Sequence, residues 1–196
     1  IENPDENGDG VILVKGPNVM LGYHNLRERT RAILDEDGWL TTGDVGQFIH
    51  KRFLKITGRK KDIFKTSSGK YIVPTVLENK LNASPFIDNC MVLGFQKPFV
   101  TALITPNFFQ LKKWCEENNV HWTAPQFMVI NQKVEGFMKT VVEEINENLK
   151  KEERIKNFHL LFEPWEVATE ELTYTLKLKR NFILEKYEKE IEKMYT

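Results

Sequence analysis

The chain has 196 residues, with 28 lysines and arginines against 28 aspartates and glutamates and a formal net charge of +0. That length holds one domain, or one domain with part of another, and is enough to bury a core without staples. A balanced charge gives no long-range attraction to nucleic acid or anionic lipid, and two cysteines, Cys90 and Cys115, exclude a disulfide framework and a four-cysteine zinc site.

In chain order, the opening is acidic and turn-rich and does not read as a signal peptide. The first residue is Ile1, not Met, so the chain reads as the back end of something longer. Residues 10–15 (GVILVK) predict a strand ended by Gly16-Pro17, and residues 26–35 a short charged helix closed by Asp37-Gly38. A Thr/Gly/Asp turn then leads to strands at 45–49 and 53–57. These strands are too few to build a core alone, and they read as the last strands of a larger domain. Gly58 is the first boundary, followed by the basic run Arg59-Lys60-Lys61.

Beyond it the pattern mixes helix and strand. Residues 61–66 and 70–73 suggest a hairpin turning at Ser67-Ser68-Gly69, and Pro74 starts a helix running to about residue 82. Strands follow at 90–95 and 100–105, then a helix at 108–118. The clearest helix is 134–151, with Val134, Phe137, Met138, Val141, Val142, Ile145 and Leu149 on one face. A strand at 158–162 and a polar loop at 163–181 lead to a last helix with Ile183, Leu184, Tyr187 and Ile191 on one side. This order predicts an α+β fold, a small mixed sheet packed with helices. No apolar run approaches the roughly 18 residues of a membrane helix, and a reduced, cytoplasmic setting is expected.

The common catalytic patterns are missing. The four histidines share no metal-ligand spacing with each other or with the cysteines, and no metal site is expected. There is no GxSxG elbow and no GxxxxGK[ST] phosphate loop. Three local groups remain. In Thr41-Thr42-Gly43-Asp44 a carboxylate accepts hydrogen bonds only, which suits two neighbouring ribose hydroxyls; taken alone, an Asp that caps a turn is the plainer account. In GRKKDIFKTSSGKYIVP (58–74), Arg59 offers a planar fork to a phosphate or ribose oxygen, and the Ser-Ser-Gly turn offers backbone N–H groups. A solvated basic edge strand accounts for the same letters. In LTYTLKLKRNF (172–182), Lys177 can reach a site as a mobile positive charge, or can be a surface lysine.

Taken together and in order, these pieces resemble the carboxyl-terminal part of the adenylating synthetases, the superfamily of acyl-CoA synthetases, luciferases and peptide-synthetase adenylation domains. GDGVILVKGPNVMLGYHN (8–25) is similar to that family's glycine-rich strand segment, DGWLTTGDVG (37–46) to its TGD motif, residues 58–74 to its interdomain hinge and following loop, and LTYTLKLKRNFILEKY (172–187) to its terminal lysine motif. The Thr-x-Thr-x-Lys form is most like long-chain fatty-acid–CoA ligases.

The resemblance implies that residues 1–58 end the larger amino-terminal, adenylate-binding domain and that 59–196 form a mobile lid. It implies nucleotide binding by Asp44 and Arg59, a hinge at Lys61, a CoA channel lined by Ser68, Gly69 and Lys70, and catalysis by Lys177. A fatty acid, Mg-ATP and CoA would be the reactants, with peripheral membrane contact left open. The phosphate loop, the Mg site and the acyl pocket would lie upstream, so the isolated chain is expected to be inactive. A stand-alone binding module acting with a partner chain, or a domain loading a carrier protein, are the alternatives.

Overall fold

The computed structural model describes residues 1–6 and 8–196, which divide into two compact units, Ile1–Ile63 and Phe64–Thr196. In the first, β1 (Gly10–Val14), the single turn of α1 (Arg27–Arg31), β2 (Leu40–Ile49) and β3 (Phe53–Arg59) follow in order. The strands form one antiparallel sheet in the order β1-β2-β3. Gly46 is required by the packing of β2 on β3, since a Cβ there would stand 2.5 Å from the Lys55 carbonyl oxygen. The sheet register shifts between Val45 and Gly46. Phe48, Phe53, Leu54 and Ile56 are exposed within this unit.

The second unit opens with the short hairpin β4 (Phe64–Lys65) and β5 (Tyr71–Ile72) and then α2 (Pro74–Leu81). Proline at the first turn of α2 lacks a donor that would have no partner there and brings its φ preset. Next come β6 (Ile87–Leu93), β7 (Val100–Pro106), α3 (Phe108–Glu117), α4 (Pro125–Met128), α5 (Gln132–Glu147), β8 (Ile155–Leu160), α6 (Arg180–Lys186) and α7 (Glu188–Lys193). The sheet order is β6-β7-β8, antiparallel at the first pair and parallel at the second. The central strand β7 is buried along its whole length.

Strand alternation sorts the core into two layers, because successive side chains point to opposite faces. Cys90, Val92, Ala102 and Ile104 join the cluster of Leu77, Leu81, Leu111, Val134, Met138 and Val142 from α2, α3 and α5. Met91, Leu93 and Leu103 face the other way and join Trp165, Leu172, Ile183, Tyr187 and Ile191. The second layer explains why the stretch read as a polar loop, 163–181, holds buried Trp165, Glu171 and Leu172. The last helix breaks at Tyr187, and Leu184 is exposed instead of sharing the buried side.

Two asparagines reset predicted ends. Asn131 Oδ1 accepts from the Lys133 and Val134 N–H groups, so α5 starts ahead of Val134. Asn146, near the end of the same helix, takes the Ile155 N–H and gives its amide to the Ile155 carbonyl, so β8 starts at Ile155.

Candidate functional site

In the first unit the TGD stretch is strand and not free turn. Asp44 lies within β2, directly opposite Arg59 on β3. Arg59 Nε donates to Asp44 Oδ1 at 2.8 Å, with the arginine 62% and the aspartate 25% exposed. Such an exposed pair is worth at most about 1 kcal/mol, so it leaves both groups available to a ligand. The Thr42 hydroxyl donates to the Ile12 carbonyl and accepts the Asp44 N–H, which fixes the backbone under the carboxylate. Gly43 has φ +77°, a conformation that favours glycine, and an added Cβ would meet nothing. Gly58 is inside β3; past the strand, the Lys60 N–H returns to the Gly43 carbonyl, and the Asp62 and Ile63 N–H groups return to Arg59. Lys61 is exposed in that turn, near the end of its unit.

In the second unit the turn at 66–70 is organised by Thr66, a buried side chain. The Thr66 N–H donates to the Lys70 carbonyl at 3.0 Å, and the Lys70 N–H donates to the Thr66 hydroxyl at 3.2 Å. The Gly69 N–H donates to the Thr66 carbonyl, and the Thr66 and Ser68 hydroxyls are 2.9 Å apart. Gly69 is left-handed, with φ +83°. Backbone bonds from Ser67 N–H to the Lys97 carbonyl and from Gln96 N–H to the Lys65 carbonyl tie this turn to the one before β7. Ser68, Gly69 and Lys70 are exposed.

Lys177 lies on a second turn of the same build. The Thr173 N–H donates to the Lys177 carbonyl at 2.8 Å, and the Lys177 N–H donates to the Thr173 hydroxyl at 3.1 Å. The Leu176 N–H donates to the Thr173 carbonyl, and the Thr173 and Thr175 hydroxyls are 3.1 Å apart. Leu176 occupies the left-handed position, with φ +57°. Neither Lys70 nor Lys177 makes an ion pair among the described residues.

The base of the Lys177 turn is anchored from below. Leu172 and Leu178 form a bridge, and the Lys179 N–H donates to the Glu171 carbonyl. The Glu171 side chain is 1% exposed and accepts from Lys186 Nζ at 2.6 Å and from the Thr169 hydroxyl. Burial pushes the Glu171 carboxyl up, but the bonds from Lys186 and Thr169 outweigh it and hold it below its usual range. The same bond to Glu171 raises Lys186. Three residues beyond Lys177, Arg180 makes a bidentate pair with Glu78 of α2, at 2.9 and 2.6 Å. Glu78 also accepts the Val92 N–H. The Arg180–Glu78 pair is not legible in the sequence, because nothing local marks a partner 102 residues away.

The candidates therefore fall in three places: Asp44, Arg59 and Lys61 in the first unit, and the 66–70 and 173–177 turns in the second. Among the described residues no three His, Cys, Asp or Glu side chains converge on a metal position.

The second unit is thus a hairpin and a mixed three-stranded sheet with helices on both its faces, carrying an exposed lysine on a turn ahead of its last two helices. The chain belongs to the AMP-binding enzyme C-terminal domain family, whose profile matches residues 61–196. Among curated proteins it is 36% identical over 190 residues to long-chain-fatty-acid–CoA ligase FadD15 of Mycobacterium tuberculosis, covering 96% of this chain and 31% of that protein. It is 33% identical over 191 residues to human long-chain-fatty-acid–CoA ligase 6, covering 96% and 27% respectively. The chain thus spans about a third or less of the length of these relatives. Among solved structures, the A domain of carboxylic acid reductase from Segniliparus rugosus, in complex with AMP and a co-purified carboxylic acid, aligns with a TM-score of 0.79. That match covers 95% of this chain and 28% of that one at 23% identity, which speaks to the fold.

Proposed function

We propose that the complete protein carrying this chain is an AMP-forming long-chain fatty-acid–CoA ligase, and that this chain supplies its lid and the end of its adenylate-binding domain. The observation that carries the reading is Lys177, an exposed ammonium with no ion-pair partner among the described residues, held on a built turn in a domain of this family, in a chain whose relatives are long-chain fatty-acid–CoA ligases.

In the first step a fatty carboxylate displaces pyrophosphate from the α-phosphorus of Mg-ATP, giving acyl-adenylate. Lys177 offsets the negative charge that grows as the two anions meet, which is electrostatic stabilisation and not proton transfer. Asp44 accepts from the ribose hydroxyls, and Arg59 lies beside it on the same sheet. In the second step the lid turns about Lys61, Lys177 withdraws, and the turn of Ser68, Gly69 and Lys70 lines the approach of CoA, whose thiol displaces AMP. No helix among the described residues is long and apolar enough to cross a membrane. A cytoplasmic enzyme, touching membranes peripherally where its substrate partitions into lipid, fits this reading.

The test is an assay of the complete protein with fatty acids of increasing length, Mg-ATP and CoA. AMP and acyl-CoA should form together, with long chains preferred, and the isolated chain should form neither. Acyl-CoA made by the isolated chain, or AMP formation indifferent to fatty acid, would overturn the proposal. Acyl transfer to a carrier protein in place of CoA would favour the carrier-loading alternative.

A further inference from the structure

The turns at 66–70 and 173–177 repeat one arrangement of four hydrogen bonds, with threonine first, a hydroxyl residue third, a left-handed residue fourth and lysine fifth. In each, one threonine holds both main-chain polar groups of the lysine, the carbonyl through its N–H and the N–H through its hydroxyl oxygen. Fixing those two groups fixes the Cα–Cβ direction of a long, flexible side chain. The ammonium then searches a smaller volume around a set origin, which is what positioning contributes to rate.

We propose that Thr66 and Thr173 are paired positioning residues, each hydroxyl aiming the lysine four residues on. Thr173 serves Lys177 in adenylation, and Thr66 serves Lys70 in the thioester step. This assignment rests on the two-step reading above. It goes beyond it in making the two working faces of the lid copies of one device. The lysine N–H groups concerned lie on exposed residues, so water can take the place of a lost hydroxyl; the hydroxyl contacts to Ser68 and Thr175 go with it, and the serine variants restore both.

The experiment uses the complete protein with Thr173→Val and Thr66→Val, which keep the side-chain shape and remove the hydroxyl, and with Thr173→Ser and Thr66→Ser, which keep the hydroxyl. Adenylation is read as fatty-acid-dependent ATP–pyrophosphate exchange. The second step is read as CoA-dependent consumption of supplied acyl-adenylate. Thr173→Val should slow exchange roughly tenfold, the size of one net hydrogen bond expressed as a rate, and should slow it several-fold more than the second step. Thr66→Val should show the opposite bias, and each serine should restore most of its own loss. Amide hydrogen exchange at Lys177 and Lys70 should speed up in the matching valine variant and recover in the serine variant. Equal losses in both steps, no loss in either, or failure of serine to rescue would overturn the assignment. A wild-type protein that shows no fatty-acid-dependent exchange would overturn the proposed function, and the pairing of turns with steps would fall with it.

Discussion

The TSSGK turn (66–70) and the TYTLK turn (173–177) share their hydrogen bonds but not their surroundings. In the first, the left-handed position falls on Gly69, which adopts it freely, and the organising threonine is buried. In the second it falls on Leu176, where the same conformation costs about 1 kcal/mol, and Tyr174 and Leu176 are 94% and 71% exposed. The first turn is held sideways, by backbone bonds to the turn before β7; the second is held from beneath, by Glu171 and Lys186. One local geometry can thus be imposed by a suitable residue or by a firm foundation under an unsuitable one.

Removing the lysines tests whether the two turns divide the labour. Lys177→Ala should lower fatty-acid-dependent pyrophosphate exchange by about two to three orders of magnitude, the usual loss of one preorganised charge-stabilising donor. Thioester formation from supplied acyl-adenylate should fall far less. Equal damage to both steps would end the comparison.

The foundation of the second turn is the next target. Lys186→Met should destabilise the protein by about 3 kcal/mol, because it strands a carboxylate that is 1% exposed. Folding lowers the Glu171 pKa, so the pair contributes stability above the usual carboxylate range that is lost as pH falls through the folded value. Folding raises Lys186, whose contribution is present below its usual 10.5 and is lost as pH rises through its raised value. Thermal melts against pH should show both limbs in the wild type and a flattened acid limb in the variant. An unchanged acid limb would mean that the pair does not anchor the turn.

The left-handed positions give the smallest effects and the clearest contrast of sign. Gly69→Ala should cost about 1 kcal/mol through its positive φ, since the nearest atom to an added Cβ is a Lys65 side-chain carbon at 3.6 Å. Leu176→Asn should gain a few tenths of a kcal/mol, because Asn tolerates that region better than Leu. Chemical denaturation of both variants reads the two signs, and matching signs would refute the likeness of the turns.

Much of the second unit was legible in the sequence. The helical spacing of Val134, Met138, Val141 and Val142 marks the face that α5 does bury, and Pro74 marks the start of α2. The strand order was not legible, since nothing in residues 155–160 says that they pair parallel to β7. Nor was the strand setting of Asp44, because Gly43 and the hydroxyls around it read as a turn until β1 and β3 flank them. The site was legible as motifs and not as a mechanism of support. TSSGK and TYTLK stand in the chain with threonine four residues before lysine in each, but only the hydrogen bonds show that this spacing is shared for a reason.

The parallel pairing of β7 with β8 also orders events on a nascent chain. Strands β6 and β7 are neighbours in sequence and can pair as a hairpin as soon as both are made. Strand β8 arrives only after α3, α4 and α5 have been synthesised, and such long-range closure is slow compared with a local hairpin. Helices α6 and α7, which cover Met91, Leu93 and Leu103, come later still. One face of the sheet therefore stays bare until α6 and α7 have both been made, well after the β6–β7 hairpin that they cover.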